Sequence, residues 1–175
     1  MTGGLPGLAG SDHVGFTVPD IEYATRFFVD VIGCEVAFEI GPFVADDDWM
    51  AVHLGVHPRA IIKTLRMLKC KNGPAFELFE YDLKGAAQTP PANSDVGAAH
   101  LGFVVQDIDV AVAYLKEHGV DVQGAPTHMT EGPSAGLRWV YFRAPWGMQL
   151  ELVSYPDGMA VTRANPSALW SPVES

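Results

Sequence analysis

Apolar and polar positions along this chain change period in a fixed order, and they do so twice. Ser11 to Val18 alternates, with His13, Gly15 and Thr17 on one face and Val14, Phe16 and Val18 on the other, which predicts a strand ending at Pro19. Asp20 then offers an N-cap. Ile21, Ala24, Phe27, Phe28 and Val31 follow at helical spacing, and Gly33 stops the helix. Cys34 to Ile40 alternates as a second strand, and Ile61 to Cys70 as a third, with Lys63, Arg66 and Lys69 expected to reach solvent. Asn72-Gly73 signals a hairpin into a fourth strand over Phe76 to Tyr81. The order is β-α-β-β-β.

The second half repeats it. Gly97 to Val105 reads as a strand and Asp107 as an N-cap. Ile108, Ala111, Val112 and Leu115 form the apolar face of a helix that ends at Gly119. Val120 to Gln123 is a short strand, Gly124 to Gly136 a loop, Leu137 to Arg143 a strand, and Met148 to Tyr155 the closing strand after the Pro145-Trp146-Gly147 turn. The repeat is visible in the residues themselves. His13-Val14-Gly15-Phe16-Thr17-Val18-Pro19-Asp20-Ile21 corresponds to His100-Leu101-Gly102-Phe103-Val104-Val105-Gln106-Asp107-Ile108, and Phe76-Glu77-Leu78 to Leu150-Glu151-Leu152. Self-similarity of this length governs the architecture. The expected fold class is α+β, with a lead-in over 1–10, a first module over 11–81, a Pro-rich linker over 82–95, a second module over 96–155 and an irregular tail over 156–175.

One segment breaks the repeat. Residues 41–60 hold Pro42, the triplet Asp46-Asp47-Asp48, and then Trp49, Met50, His53, His57 and Arg59. An aspartate here suits the cap of a short helix starting near Trp49. The segment reads either as a lid or substrate wall or as an excursion covering a sheet edge.

The repeat also brings chemistry. Each module carries a His on its first strand and a Glu on its last, and packing about a pseudo-two-fold axis lets His13, Glu77, His100 and Glu151 converge. Both glutamates sit between apolar neighbours, a context that is costly for an unpaired carboxylate and that coordination relieves. Two imidazoles and two carboxylates suit one divalent ion: nickel, cobalt, zinc, manganese or iron. Trp49, His53, His57, Arg59, His128, Arg138, Trp139 and Tyr141 are the candidates for contact with substrate, Arg59 and Arg138 as grips for a carboxylate. His118, at the end of a helix, reads as structural.

These residues resemble the vicinal oxygen chelate superfamily, which includes glyoxalase I, extradiol dioxygenases and bleomycin-binding proteins. The resemblance runs from His13 to Tyr155 and implies paired βαβββ modules forming a cupped sheet around a metal. His13, Glu77, His100 and Glu151 match the ligand set of bacterial glyoxalase I. That set implies a lyase or isomerase acting by proton transfer on a small vicinal-dioxygen substrate (a 2-oxoaldehyde adduct or a hydroxycarbonyl) through a metal-bound enediolate. Glu151 or Glu77 is the implied catalytic base, and a homodimer the implied assembly. The rivals are a ring-cleaving dioxygenase and a non-catalytic antibiotic binder. The chain departs from the family in the 41–60 insertion and at Ala144-Pro145-Trp146-Gly147, both on the expected rim of the site.

Composition narrows the partners. With 11 basic against 21 acidic residues the net charge is −10, which disfavours nucleic acid and anionic membranes. No apolar run approaches a membrane span. The first ten residues lack the pattern of a signal peptide, and two cysteines, Cys34 and Cys70, predict neither a disulfide framework nor a metal motif. A cytoplasmic protein acting on a small molecule is the expectation.

Overall fold

A computed structural model describes residues 5–172; the outer ends of the lead-in (1–4) and of the tail (173–175) lie outside the described residues. The chain divides into two compact units, Met1–Ala86 and Ala87–Ser175. Each is an α+β module built on a four-stranded mixed sheet, so the tandem βαβββ architecture expected from the repeat is present.

In the first unit β1 (His13–Thr17) is followed by α1 (Ile21–Arg26), β2 (Glu35–Ile40), α2 (Trp49–Leu54), β3 (Ile61–Lys69) and β4 (Ala75–Asp82). Sheet order is β1-β4-β3-β2, with β1 parallel to β4 and the other pairs antiparallel. Asp20 caps α1 by accepting from the Tyr23 amide at 2.7 Å. The helix does not run to Gly33 as one α-helix: it widens into a π-helical turn over Phe27–Ile32 before Gly33 closes it in the left-handed region at φ 87°. Phe28, fully buried, packs its ring 6.0 Å from Phe16 and 5.8 Å from Phe76, so α1 covers the face that carries the even-numbered residues of β1 and β4. Glu80 lies on that face and receives the Ile21 amide at 3.0 Å and the Lys63 ammonium. It is a structural acid.

Arg66 corrects the sequence reading. It is buried, not solvated, because its register partner Leu78 faces α1. Its guanidinium binds Thr25 Oγ1 at 2.7 Å, Glu22 at 2.6 Å and Glu39, tying β3 to both α1 and β2. Hydrophobic periodicity does not register such a case, since a long basic side chain counts as polar wherever it points.

The cysteines are a second correction. Cys34 and Cys70 form a disulfide, with Cα atoms 4.3 Å apart and a sequence separation of 36. The cause is register: Glu35 pairs with Lys69 across β2 and β3, which sets the flanking cysteines opposite each other. Closing a loop of that length is worth about 2–4 kcal/mol. Cys70→Ser is therefore expected to lower the free energy of urea unfolding by that amount, and dithiothreitol to bring the wild type to the same midpoint.

The insertion packs as an excursion that covers a sheet edge. Phe43 extends the edge of β3 through paired backbone bonds with Ile62, at 2.8 and 3.1 Å. Gly41 permits the entry, since at φ 130° any Cβ there would lie 2.8 Å from the Lys63 carbonyl. The Trp49 amide donates to Asp47 Oδ1 at 2.9 Å at the start of α2. Met50 then points inward, fully buried against Ala60, Ile62 and Leu65, with Phe79 and Tyr81 packed beside them. That cluster occupies the sheet face opposite α1.

The second unit comprises β5 (Leu101–Val104), α3 (Ile108–Glu117), β6 (Asp121–His128), β7 (Arg138–Arg143), β8 (Gln149–Ser154) and α4 (Ala160–Ala164), with sheet order β5-β8-β7-β6. Asp107 caps α3 by accepting from Asp109 and Val110. His118 ends it, its Nδ1 2.8 Å from the Tyr114 carbonyl, as the structural reading expected. Boundaries differ from sequence in three places. β5 starts one residue after His100; β6 runs on through residues expected to be loop, with a register shift between Gln123 and Thr127 absorbing Gly124; and the tail folds a short helix, α4. Arg163 of α4 reaches the Gly158 and Ala135 carbonyls, which ties the tail to the loop before β7.

Candidate metal centre and substrate face

The parallel pairing of the first and last strand of each module builds the same arrangement twice. In the first unit Gly15 is in register with Glu77, and His13 stands two residues before Gly15 on the same face. In the second, Gly102 is in register with Glu151 and His100 stands two residues before Gly102. The consequences match closely. His13 Nε2 is 3.3 Å from Glu77 Oε2, and His100 Nε2 is 3.4 Å from Glu151 Oε2. All four lie on the face away from the helix. The carboxylates are mostly buried and the imidazoles partly exposed, with side-chain exposures of 20% and 17% against 39% and 36%.

Space beside the carboxylate is tight at Gly15, whereas at Gly102 a Cβ would make only ordinary contact. A Cβ on Gly15 would lie 3.3 Å from Glu77 Oε2, and one on Gly102 would lie 3.7 Å from Glu151 Oε2. A branched side chain at Gly15 must push the carboxylate off its histidine. Gly15→Val is expected to lower turnover about 100-fold or more while circular dichroism stays native, since misplacement of a catalytic group by about 1 Å costs that much.

Proton placement distinguishes the two pairs. His13 Nδ1 is 2.8 Å from Asp12 Oδ2, and this hydrogen bond, aided by the charge of Glu77 and opposed by partial desolvation, raises the His13 pKa. With its Nδ1 proton committed to Asp12, neutral His13 turns the lone pair of Nε2 toward a carboxylate oxygen. Two such atoms at 3.3 Å call for a positive charge, either a proton or a cation. His100 has no acidic neighbour in sequence and is held by the Tyr141 ring, edge-on at 5.2 Å. Burial pushes the Glu151 carboxyl above its ordinary value, against the opposing pull of His100. Among the described residues no group of three or more His, Cys, Asp or Glu side chains is placed to hold a metal ion; the His and Glu donors come as these two pairs. Imidazole nitrogen paired with carboxylate oxygen, in a cradle a side chain would fill, fits a divalent first-row ion.

Around the pairs the modules differ. Across the first sheet Glu77 is flanked by Met67 and then Phe38, an apolar row, with Tyr81 two further turns of the pleat along β4. Burial, with the Glu77 charge adding to it, raises the Tyr81 pKa. Across the second sheet Glu151 is flanked by Tyr141 and then Gln123, a polar row joined by the Gln123–Gln149 hydrogen bond at 2.7 Å. Trp139 stands on the same face, 5.3 Å from Tyr141. Asp12, Met67 and Gln123 were not anticipated. Asp12 alone had a sequence signal, its position next to His13.

The other sequence candidates separate by face. Trp139 and Tyr141 share the face of Glu151. Arg138 does not: it points with Val140 and Phe142 to the helix side and forks onto Asp109 of α3 at 2.7 and 2.9 Å. That bond holds the Asp109 carboxyl below its usual value. His128, in register with Arg138, is turned to the same side. The alternation of β6 and β7 places both on the helix side of the sheet, opposite the face of Glu151. Arg138→Leu is therefore expected to leave kcat/KM within about twofold of wild type, as a residue outside the site should. Its effect belongs to stability, present above the unfolded aspartate pKa and lost as the pH falls through the lowered folded value. In the insertion the Trp49 ring lies tilted against Phe43 and His53, at 4.9 and 4.7 Å. His57 and Arg59 lie at the far end of β4.

The chain belongs to the glyoxalase/bleomycin resistance protein/dioxygenase superfamily, whose model matches residues 12–142. Members commonly bind a divalent metal and small-molecule substrates. Among its relatives is a 2-epi-5-epi-valiolone epimerase from Actinomyces sp, 43% identical over 98% of this chain and 94% of that protein. A glyoxalase family protein from Bacillus cereus superposes with a TM-score of 0.62 at 22% identity, over 84% of this chain and 94% of that one. Glyoxalase I of Leishmania major gives 0.57 at 18%, over 87% and 91%. These structural likenesses carry the fold. Among the described residues no helix is long and apolar enough to cross a membrane.

Proposed function

We propose that the protein is a metal-dependent epimerase that inverts a hydroxyl-bearing stereocentre beside the carbonyl of a small polyhydroxylated ketone. His13, Glu77, His100 and Glu151 would together hold one divalent ion, within one chain or across a homodimer. The observation that carries this reading is the duplicated His–Gly–Glu cradle, which supplies one carboxylate from each module. Inversion at carbon needs a proton removed from one face and another returned to the opposite face, and a pair of equivalent carboxylates suits that task better than a single base. When bound, the cation supplies Lewis acidity toward the carbonyl oxygen. The raised Glu151 carboxyl is matched to taking a weakly acidic proton, with Glu77 or its conjugate acid serving the other face. Tyr141 and Gln123 beside Glu151 would offer hydrogen bonds to substrate hydroxyls, and Met67 beside Glu77 an apolar contact.

The 43% relative supports the epimerase over the 2-oxoaldehyde adduct that the ligand set alone suggested. The likeness to glyoxalase I, at 18% identity, speaks only for the fold. A fourth donor also crowds the open positions that ring cleavage of a catechol requires.

The test is to strip the protein with a chelator, reload it with nickel, cobalt, manganese or zinc, and incubate it with 2-epi-5-epi-valiolone in D2O. Interconversion of two epimers with deuterium entering at the inverted carbon is expected. Turnover of thiol adducts of 2-oxoaldehydes without epimerisation would return the lyase to first place. Saturable binding of a small molecule with neither reaction would leave a sequestering protein.

A further inference from the structure

A second pocket lies at the other end of the first module. His57 and Arg59, at the close of the insertion, and Asp82 and Lys84, where β4 ends, line a cavity of about 540 Å³ floored by Ile61 and Leu83. Its size suits a small metabolite. Asp82 is five residues along β4 from Glu77, which at strand spacing is about 17 Å. A small ketone at the His–Glu pairs does not reach it.

The charge is unusual for this molecule. A chain of net charge −10 repels anions in general, yet here two of its 11 Lys and Arg residues and a histidine surround one hollow. The donors are also positioned. Arg59 Nη1 gives one hydrogen bond to the Asp46 carbonyl at 2.8 Å, which fixes the guanidinium and leaves its remaining N–H groups for a ligand. The Arg59 amide donates to His57 Nδ1 at 3.0 Å, so neutral His57 carries its proton on Nε2 as a further donor. A guanidinium fork, an ammonium and an imidazole N–H exceed what the two oxygens of one carboxylate can use. They match a phosphate monoester, with three terminal oxygens and a charge of about −1.5 to −2. Asp82, the acid in the lining, suits a hydroxyl on the ligand's carbon skeleton.

We propose that this cavity binds the phosphate group of a small hydroxylated phosphate ester, at a site separate from the His–Glu pairs and independent of the epimerase reading. Titration calorimetry and amide NMR on chelator-stripped full-length protein at low salt would test it, with glycerol 3-phosphate, inorganic phosphate, acetate and glycerol as probes. Glycerol 3-phosphate is expected to bind saturably, with inorganic phosphate weaker, shifting amides in 57–61 and 82–86. Lys84→Glu and Arg59→Ala should each weaken it about tenfold or more, as loss of a charge-assisted contact does. Lys84 is exposed, so its variant tests charge without disturbing the insertion. The His13→Ala, His100→Ala double variant should bind glycerol 3-phosphate as wild type does. Absence of saturation, amide shifts elsewhere, acetate binding as well as phosphate, or wild-type affinity in Lys84→Glu would each overturn the proposal.

Discussion

Glu151→Gln is expected to lower epimerase kcat by about 10²- to 10⁴-fold, the span that a positioned proton-transfer group contributes. The amide keeps the shape of the side chain, so the fold and the cradle around Gly102 are unaltered. The loss should be unequal between two readouts. If the two carboxylates serve opposite faces of the substrate, the variant retains deuterium exchange from the epimer whose proton faces Glu77 and loses inversion. Glu77→Gln should show the mirror pattern. Equal loss of exchange from both epimers in both variants would assign the proton transfers to one group alone. In chelator-stripped protein the Glu151 carboxyl should titrate above the ordinary glutamate range, because burial raises it, and a bound cation should pull it back down.

Removing an imidazole acts on the metal instead. His13→Ala and His100→Ala protein, purified without added metal, should each carry less than the one ion proposed for wild type, with turnover falling in proportion to metal content. Asp12→Asn offers a graded version. Asp12 touches neither substrate nor the proposed ion; it holds His13 through Nδ1, and loss of such an orienting carboxylate costs about 10- to 100-fold in metal affinity. Excess metal should therefore rescue Asp12→Asn and fail to rescue His13→Ala. Wild-type metal content in both histidine variants would remove these residues from the ligand set. The second module has Ala99 where the first has Asp12, so His100 depends on the Tyr141 ring for its orientation. Tyr141→Ala should accordingly loosen His100 as well as the substrate face.

The sequence by itself determined the duplicated module. A strand period of two, a helical period of 3.6 and turn residues at Pro19, Gly33, Gly119 and Asn72-Gly73 recur in one order, and local sterics enforce each of them. It also placed one His at the opening strand and one Glu on the closing strand of each module. His13 and Gly15 lie two apart on β1, His100 stands two residues before Gly102 at the entry to β5, and their faces meet the glutamates only through strand register. Glu80, three residues from Glu77, falls on the opposite face by the same alternation, and the structure gives it to the α1 N-terminus.

What tertiary structure decided depends on which strand lies beside which, and by how many residues it is offset. The register Glu35 to Lys69 joined Cys34 to Cys70 across a sequence separation of 36, which two isolated cysteines in sequence do not announce. The pairing of Arg66 with Leu78 turned a basic residue under α1, and that of Arg138 with Ser154 turned another toward Asp109. Met50 likewise became core only when α2 folded onto Ile62 and Leu65. Alternation along one strand fixes which residues share a side, but not which side meets the helix; a one-residue offset reverses the answer. For that reason the His–Glu pairs were readable from the repeat, while the fate of each long basic side chain, and the hollow between Arg59 and Lys84, emerged only with the packed sheet.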